Sequence, residues 1–350
     1  MRILRWGVLL IIAVLGSIGG VAQESTTLKV VTYDSFTISE DVLTAFEKES
    51  GITVEIVRLS DAGAMVNQAV LTRDNPLGDV LYGIDNTFLS RGLENDLFIA
   101  YESPLLEAIP DAFELDAEHR VSPVTYGDVC LNYDRAYFAE NDLALPESLA
   151  DLTKPEYVGL LVAPSPATSS PGLAFLLATI AAFGEEGDYT YLDFWADLVA
   201  NDVLVVDGWT QAYYGAFTAA SEDGDRPLVV SYASSPPAEV YFAEEPLEEA
   251  PTGAIVADGT CFRQIEFIGI LNGTQNLEAA QAFIDFALDV TFQEDLPLQM
   301  FVYPVNENAQ LPEVFVEYSV VPEVSTSVDY TDIESKREDW IRAWTETVLR

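Results

Sequence analysis

Positive charge, histidine, cysteine and long apolar runs are all scarce in this chain, and each scarcity removes a class of chemistry. Sixteen basic residues face 58 acidic ones, a formal net charge of −42, and only four of the basic residues are lysine. Such a surface repels nucleic acid and anionic lipid, so neither is expected as a partner. It attracts cations, but acid spread along the whole chain also fits simple solubility or a saline habitat. The one histidine, His119, stands in the charged stretch Asp116–Arg120 with no nucleophile motif beside it. A Ser-His-Asp triad and a histidine-based zinc site both lack their residues. Neither Gly-x-x-x-x-Gly-Lys-Ser/Thr nor a Gly-x-Gly-x-x-Gly after the first strand occurs, which leaves phosphate-loop and dinucleotide chemistry without a motif. With 58 carboxylates, chance pairs are certain, so no one pair argues for acid–base catalysis. No cofactor and no metal site is expected. No internal repeat, low-complexity tract or flexible linker interrupts the chain.

At 350 residues, with 49% hydrophobic and 21% charged residues, the chain suits two globular units, each with its own core. The start differs from the rest. Arg2 and Arg5 precede the apolar run Gly7–Val14, and Gly20-Val21-Ala22 offers a small-residue exit. Residues 1–22 therefore read as a secretory signal, with an uncleaved anchor as the rival. No apolar run after Ala22 is long enough to span a bilayer. The expected location is exported, in the periplasm or on the extracytoplasmic face of the cell membrane. No cysteine follows the apolar run, so lipid attachment is not indicated. In an exported chain, Cys130 and Cys261 read either as one disulfide or as two unrelated buried thiols.

The mature chain alternates strand and helix. Leu28–Tyr33 is β-rich, Glu40–Ser50 has helical spacing with Gly51 just beyond it, and Ile52–Leu59 alternates as a strand. Ala64–Arg73 reads as a helix and Asp79–Tyr82 as a short strand. This order predicts a parallel sheet wrapped by helices, with ligands beyond the carboxyl ends of the strands. Tyr33-Asp34-Ser35 and Asp85-Asn86 fall at such ends. After the extended stretch Val121–Asn132 a second unit begins. Its strands are Gly159–Ala163, Val203–Val206 and Pro227–Tyr232; its helices are Leu173–Phe183, Tyr191–Ala200 and Gln211–Ala220. A second long extended stretch, Gly259–Leu271, is followed by helices at Leu277–Leu288 and around Thr291–Asp295. The helical tail carries Trp340 and Trp344 on one face, expected to pack on the body. Glu244–Pro251 reads as a surface loop. The fold class is α/β: two lobes, each a mixed sheet flanked by helices, joined by crossover strands.

What chemistry remains is aromatic. Tyr33, Trp209, Tyr213, Tyr232 and Phe301 sit at or near strand ends or turn-to-helix junctions. For any one of them core packing is the commoner explanation. Their recurrence in both halves suits a cage for a flat cationic heteroaromatic, with rings stacking on it and aspartates such as Asp34 and Asp85 balancing its charge. Ser169-Ser170-Pro171 at a helix start offers hydroxyls and free backbone N–H groups for a hydroxyl or phosphate end; simple helix capping is the equal alternative.

These segments resemble the thiamine-binding proteins of bacterial ABC importers, within the ferric/spermidine-type branch of periplasmic binding proteins. The markers are Thr32-Tyr33-Asp34-Ser35-Phe36, Asp79-Val80-x-x-Gly83-x-Asp85-Asn86, Thr168-Ser169-Ser170-Pro171-Gly172-Leu173, Gly208-Trp209-x-x-Ala212-Tyr213, Ser231-Tyr232-x-x-Ser235-Pro236, Tyr303-Pro304-Val305 and Trp340-Ile341-x-x-Trp344, spread over nearly the whole mature chain. The resemblance implies a type II periplasmic binding protein fold that closes on a small ligand, thiamine or a related cation, and delivers it to the permease and ATPase of an importer. A monomer without enzymatic activity is expected. It implies ligand contacts at Tyr33, Trp209 and Tyr232, polar cleft residues at Asp61, Asp85 and Asn86, and a hydroxyethyl or phosphate end at Ser169 and Ser170. Three positions depart from the family pattern: Phe301 replaces a tryptophan, Ala238 or Glu239 a tyrosine, and Ala167 an arginine. The implied division is residues 23–127 plus 265–312 as one lobe and 128–264 plus 313–350 as the other. The crossover segments would be Tyr126–Tyr133 and Gly259–Phe267, so a Cys130–Cys261 bridge would tie the two hinge strands together. The same fold also hosts ferric-ion and polyamine binders, with Tyr213-Tyr214 the available tyrosine pair. A secreted carboxylate-dependent hydrolase is the reading from another class.

Overall fold

The computed structural model describes residues 26–350, so the expected signal at 1–22 lies outside the described residues. The amino-terminal unit runs β1 (Thr26–Thr32), α1 (Glu40–Ser50), β2 (Ile52–Arg58), α2 (Ala62–Leu71), β3 (Val80–Asp85), α3 (Leu89–Glu94) and β4 (Phe98–Ile99). α1 stops where Gly51 takes a left-handed φ of 71° and returns its N–H to Glu47. β1 pairs in parallel with β2 on one side and β3 on the other. β3 is buried along its whole length, as expected of a parallel strand covered on both faces.

The long β5 (Ser122–Asp134) then leads through α4 (Arg135–Glu140) to the second unit. It contains β6 (Leu161–Pro164), α5 (Ser170–Phe183), α6 (Tyr191–Ala200), β7 (Leu204–Val206), α7 (Trp209–Gln211), β8 (Leu228–Tyr232), α8 (Pro236–Tyr241) and β9 (Thr252–Ile255). β10 (Phe262–Leu271) returns to the first unit, followed by α9 (Leu277–Leu288), α10 (Val290–Gln299), β11 (Tyr303–Pro304), α11 (Glu313–Tyr318) and α12 (Tyr330–Val348). The main strand order is β2-β1-β3-β10-β5-β8-β6-β7. Two parallel triplets thus flank a central antiparallel pair, β10 and β5. The architecture is α/β with a mixed, continuous sheet and two crossover strands.

That central pair is cross-linked by side chains. Cys130 on β5 and Cys261, one residue before β10, form a disulfide with Cα atoms 4.3 Å apart. Arg263 donates two hydrogen bonds to Asp128, at 2.7 and 3.1 Å. Asn86 just past β3 clamps β10 from the other side: its Nδ2 donates to Arg263 O and its Oδ1 accepts from Ile265 N. α12 lies across both units. Trp344 meets Trp195 of α6 edge-on at 5.4 Å, while Glu338 pairs with Arg91 of α3 at 2.8 Å. Trp340 and Trp344 are both buried, as their shared face predicts.

One element differs from expectation. The helix predicted over Gln211–Ala220 ends early: residues 212–216 wind as a π-turn and Phe217 is extended, bridging to Arg226. Phe217 is fully buried against Val162 and Val229, and that burial outweighs the local helical pattern. Among the described residues, no helix is long and apolar enough to cross a membrane.

Candidate functional site

A cavity of about 550 Å³ opens between the end of β1, the middle of β5 and β10, and the α7–α8 side of the second unit. Eight aromatic residues line it: Tyr33, Tyr126, Trp209, Tyr213, Tyr214, Tyr232, Phe242 and Phe301. Three carboxyl groups, on Asp34, Asp61 and Glu266, line it too; among the described residues no lysine, arginine or histidine does. This combination sets its chemistry: ring faces and negative charge, with no basic group to hold an anion.

Its floor is a strand-end construction. Tyr33 follows β1 directly, and its ring occupies the space over Gly83 of β3. A Cβ at Gly83 would lie 2.2 Å from that ring, and the residue's φ is +102°. Only glycine fits there. Glu266 on β10 accepts a hydrogen bond from Thr125 on β5 at 2.8 Å. Burial pushes its carboxyl up to about 7, the Asp85 charge adds to this, and hydrogen bonds from Thr125 and Tyr33 oppose it. Two residues earlier on the same strand face, Gln264 Oε1 accepts from the Tyr232 hydroxyl at 3.1 Å. Burial first, then Glu266, raises the Tyr33 and Tyr232 hydroxyls well above the usual phenol range, so both stay protonated donors.

Asp61 joins the two sides of the cavity. Its carboxylate accepts from Trp209 N at 2.8 Å and from Ser170 N, at the start of α5, at 3.3 Å. Desolvation lifts Asp61 to about 6, while the Trp209 amide, the Ser169 hydroxyl and the Ser170 amide hold it from rising further. Behind it, Ser170 Oγ donates to Asp85, which also accepts from Thr87. Burial raises the Asp85 carboxyl.

The aromatic wall stands on short pieces. Trp209 opens α7, donates its indole N–H to Ser231 Oγ at 2.9 Å and stacks on Tyr213 at 5.1 Å. Tyr214 meets Trp209 edge-on at 5.5 Å. The Tyr213 hydroxyl donates to Glu239 of α8, whose other oxygen accepts from Thr252. Phe242, 68% exposed, and Phe301 contact each other at the rim.

Of the residues singled out in the sequence, Tyr33, Asp34, Asp61, Ser170, Trp209, Tyr213, Tyr232 and Phe301 line the cavity. Asp85, Asn86 and Ser169 do not. Asp85 supports Ser170 from behind, Asn86 clamps β10, and Ser169 is buried beside Asp61. Ser169 stands at the N-cap of α5 without a side-chain capping bond. Sequence reasoning missed Tyr126, Gln264, Glu266, Tyr214 and Phe242. The first three lie on the crossover strands, where the run of apolar neighbours hides which residues face a cavity. In the sequence Tyr214 stands out only as half of the Tyr213-Tyr214 pair.

Two lobes of α/β structure joined by crossover strands, with a ligand-sized cavity between them, define a type II periplasmic binding protein. The chain belongs to the bacterial extracellular solute-binding protein family, which it matches over residues 75–321. It is 28% identical over 331 residues to the thiamine-binding periplasmic protein of Escherichia coli, covering 92% of this chain and 94% of that protein. The thiamine-binding periplasmic protein of Haemophilus influenzae is 24% identical over 347 residues, with 97% and 98% covered. Among solved structures, a periplasmic thiamin binding protein superposes with a TM-score of 0.79 at 26% identity, covering 93% of this chain and 96% of that one. A ferric binding protein from Campylobacter jejuni shares the fold, with a TM-score of 0.71 at 16% identity over 91% and 99% of the two chains.

Proposed function

We propose that this chain is the extracytoplasmic solute-binding component of an ABC importer, and that it captures thiamine between its lobes and hands it to a membrane permease. The observation that carries the reading is the cavity lining: eight aromatics and three carboxyl groups, with no basic residue among the described ones. Thiamine joins a flat cationic thiazolium ring through a methylene to an amino-bearing pyrimidine ring, and both features match such a surface. The likeness to thiamine-binding relatives over nearly the full chain supports it. The lobe division is 23–127 plus 265–312 and 128–264 plus 313–350. On this reading 1–22 directs export to the periplasm or the outer face of the cell membrane, the role is binding rather than turnover, and the chain works as a monomer with an importer permease and ATPase.

Ferric ion fits the same cavity less well. Iron sites on this fold would need tyrosine oxygens free to converge, whereas the Tyr213 hydroxyl is committed to Glu239 and its ring to Trp209. Calorimetric titration of the purified chain with thiamine, its phosphate esters, spermidine and ferric citrate tests the reading. Thiamine is expected to bind at one site at micromolar concentration or below. Heat from spermidine or ferric citrate alone would assign the cavity to another cargo.

A further inference from the structure

Glu266 and Gln264 are the polar pair of the cavity floor that the aromatic cage does not explain. They lie two apart on β10, so their side chains leave the same face of the strand, roughly 6–7 Å apart at their bases. Both are buried and both line the cavity. Their existing bonds leave complementary valences. The Gln264 carbonyl is occupied by the Tyr232 hydroxyl, so its amide N–H groups are the ones left to donate. Glu266 receives Thr125 at one oxygen and Tyr33 beside it, and a carboxylate retains further lone pairs to accept a donor. Beside each other stand one fixed acceptor and one fixed donor.

From this pairing we propose that Glu266 and Gln264 form a specificity-determining subsite that reads the amino-azine edge of the ligand, Glu266 accepting from its exocyclic amino group and Gln264 donating to the adjacent ring nitrogen. The proposal rests on the thiamine reading above and assigns the 4-aminopyrimidine ring to this end of the cavity. The cationic ring then falls to the Trp209 side. A quaternary ring nitrogen has no N–H to give, so it has no use for a fixed acceptor and is served by ring faces instead.

The groups around Glu266 leave its ionisation to the ligand. Facing it are Tyr33 beyond β1, Tyr82 and Asp85 on β3, Thr125 on β5 and Tyr232 on β8, and none of these is a cation. Without ligand, burial among them keeps a proton on part of the population near pH 7. A bound amino donor next to a cationic ring stabilises the carboxylate, and that proton leaves to buffer.

Two readouts test this, and neither follows from structural support alone. Thiamine is titrated at pH 7 in two buffers of different ionisation enthalpy; release of about half a proton is expected for a carboxyl poised near 7. The second is discrimination against oxythiamine, whose 4-oxo group and ring N–H reverse the donor and acceptor. The native chain should prefer thiamine at least tenfold. In Glu266→Gln, whose amide can turn either way, the preference should fall below threefold and proton release should vanish. Thiamine binding by the native chain with no preference over oxythiamine and no proton release overturns the subsite while leaving the thiamine reading intact. No binding of thiamine overturns both. Because the native chain alone delivers two of these measurements, the test stands even if the variant folds poorly.

Discussion

The frame of the cavity and its aromatic wall are built by different means. The frame is the β5–β10 pair: a backbone ladder from Phe262↔Val129 to Ile268↔Ser122, one disulfide, the bidentate Arg263–Asp128 pair and the Asn86 clamp. The wall rests on three helical residues, one π-turn and the short α8, and it is held mainly by rings and one phenol–carboxylate contact. Of its five rings only that of Tyr213 is buried. The difference separates two jobs. The cross-links of the frame should govern stability and leave affinity alone, and the wall should do the reverse.

The largest expected effect strikes the frame. Replacing both Cys130 and Cys261 by serine releases a crosslink between residues 131 apart, a loss of about 3 kcal/mol in unfolding free energy. Thiamine affinity should stay within about threefold, since neither sulfur lines the cavity. Urea unfolding and titration of the same samples check this, and a much larger affinity loss would make the cross-link part of the site.

Gly83→Ala attacks β3 where it supports the cavity floor. The new methyl would sit 2.2 Å from the Tyr33 ring at a φ of +102°. A loss of about 2–3 kcal/mol in stability is expected together with weaker binding, because the ring must move. An unchanged urea midpoint would mean that Tyr33 is not held over β3.

Trp209→Ala tests the wall. Removing a stacked indole should raise the thiamine Kd roughly 30-fold, about 2 kcal/mol, with a much smaller change in melting temperature. Equal losses in binding and folding would return Trp209 to the core.

Acid titration reads the floor. In the folded, ligand-free chain Glu266 sits at about 7 and Asp61 at about 6, both above their values in an unfolded chain. The folded state therefore holds more protons between about pH 4 and 7, so these groups' stabilising contribution is full in acid and is lost as pH rises through 6 and 7. Unfolding free energy without ligand should fall by about 2 kcal/mol from pH 6 to pH 8. Glu266→Gln should flatten the upper part of that slope; a slope of the same size in the variant would assign it to the general negative charge.

The smallest effect belongs to the rim. Phe242 is 68% exposed, and its replacement by alanine should change the Kd by only a few fold, about 0.5 kcal/mol, without altering the melting temperature.

The contrast also explains what could be read without coordinates. Strand–helix alternation and the two long extended segments announced the frame, because periodicity and length are local properties. Strand-end aromatics announced Tyr33, Trp209 and Tyr232 for the same reason. The early end of the Gln211–Ala220 helix was not legible, since it depends on Phe217 finding a buried slot against strands that are remote in sequence. Gln264 and Glu266 are hidden inside Gln-Ile-Glu-Phe-Ile, where every residue is buried and only the sheet's geometry selects the two that face a void. Asp85 and Asn86 stand at a strand end, as expected of cleft residues, yet spend their hydrogen bonds on Ser170 and on β10.

A basic-free, aromatic and carboxyl-lined cavity should select a flat cationic ring. The most direct test of that selection is equilibrium dialysis at pH 7.5 of thiamine against a neutral analogue whose thiazolium nitrogen is replaced by carbon. Thiamine bound at least tenfold more tightly, about 1.4 kcal/mol or more, is the predicted result. Equal affinity for the two would contradict it.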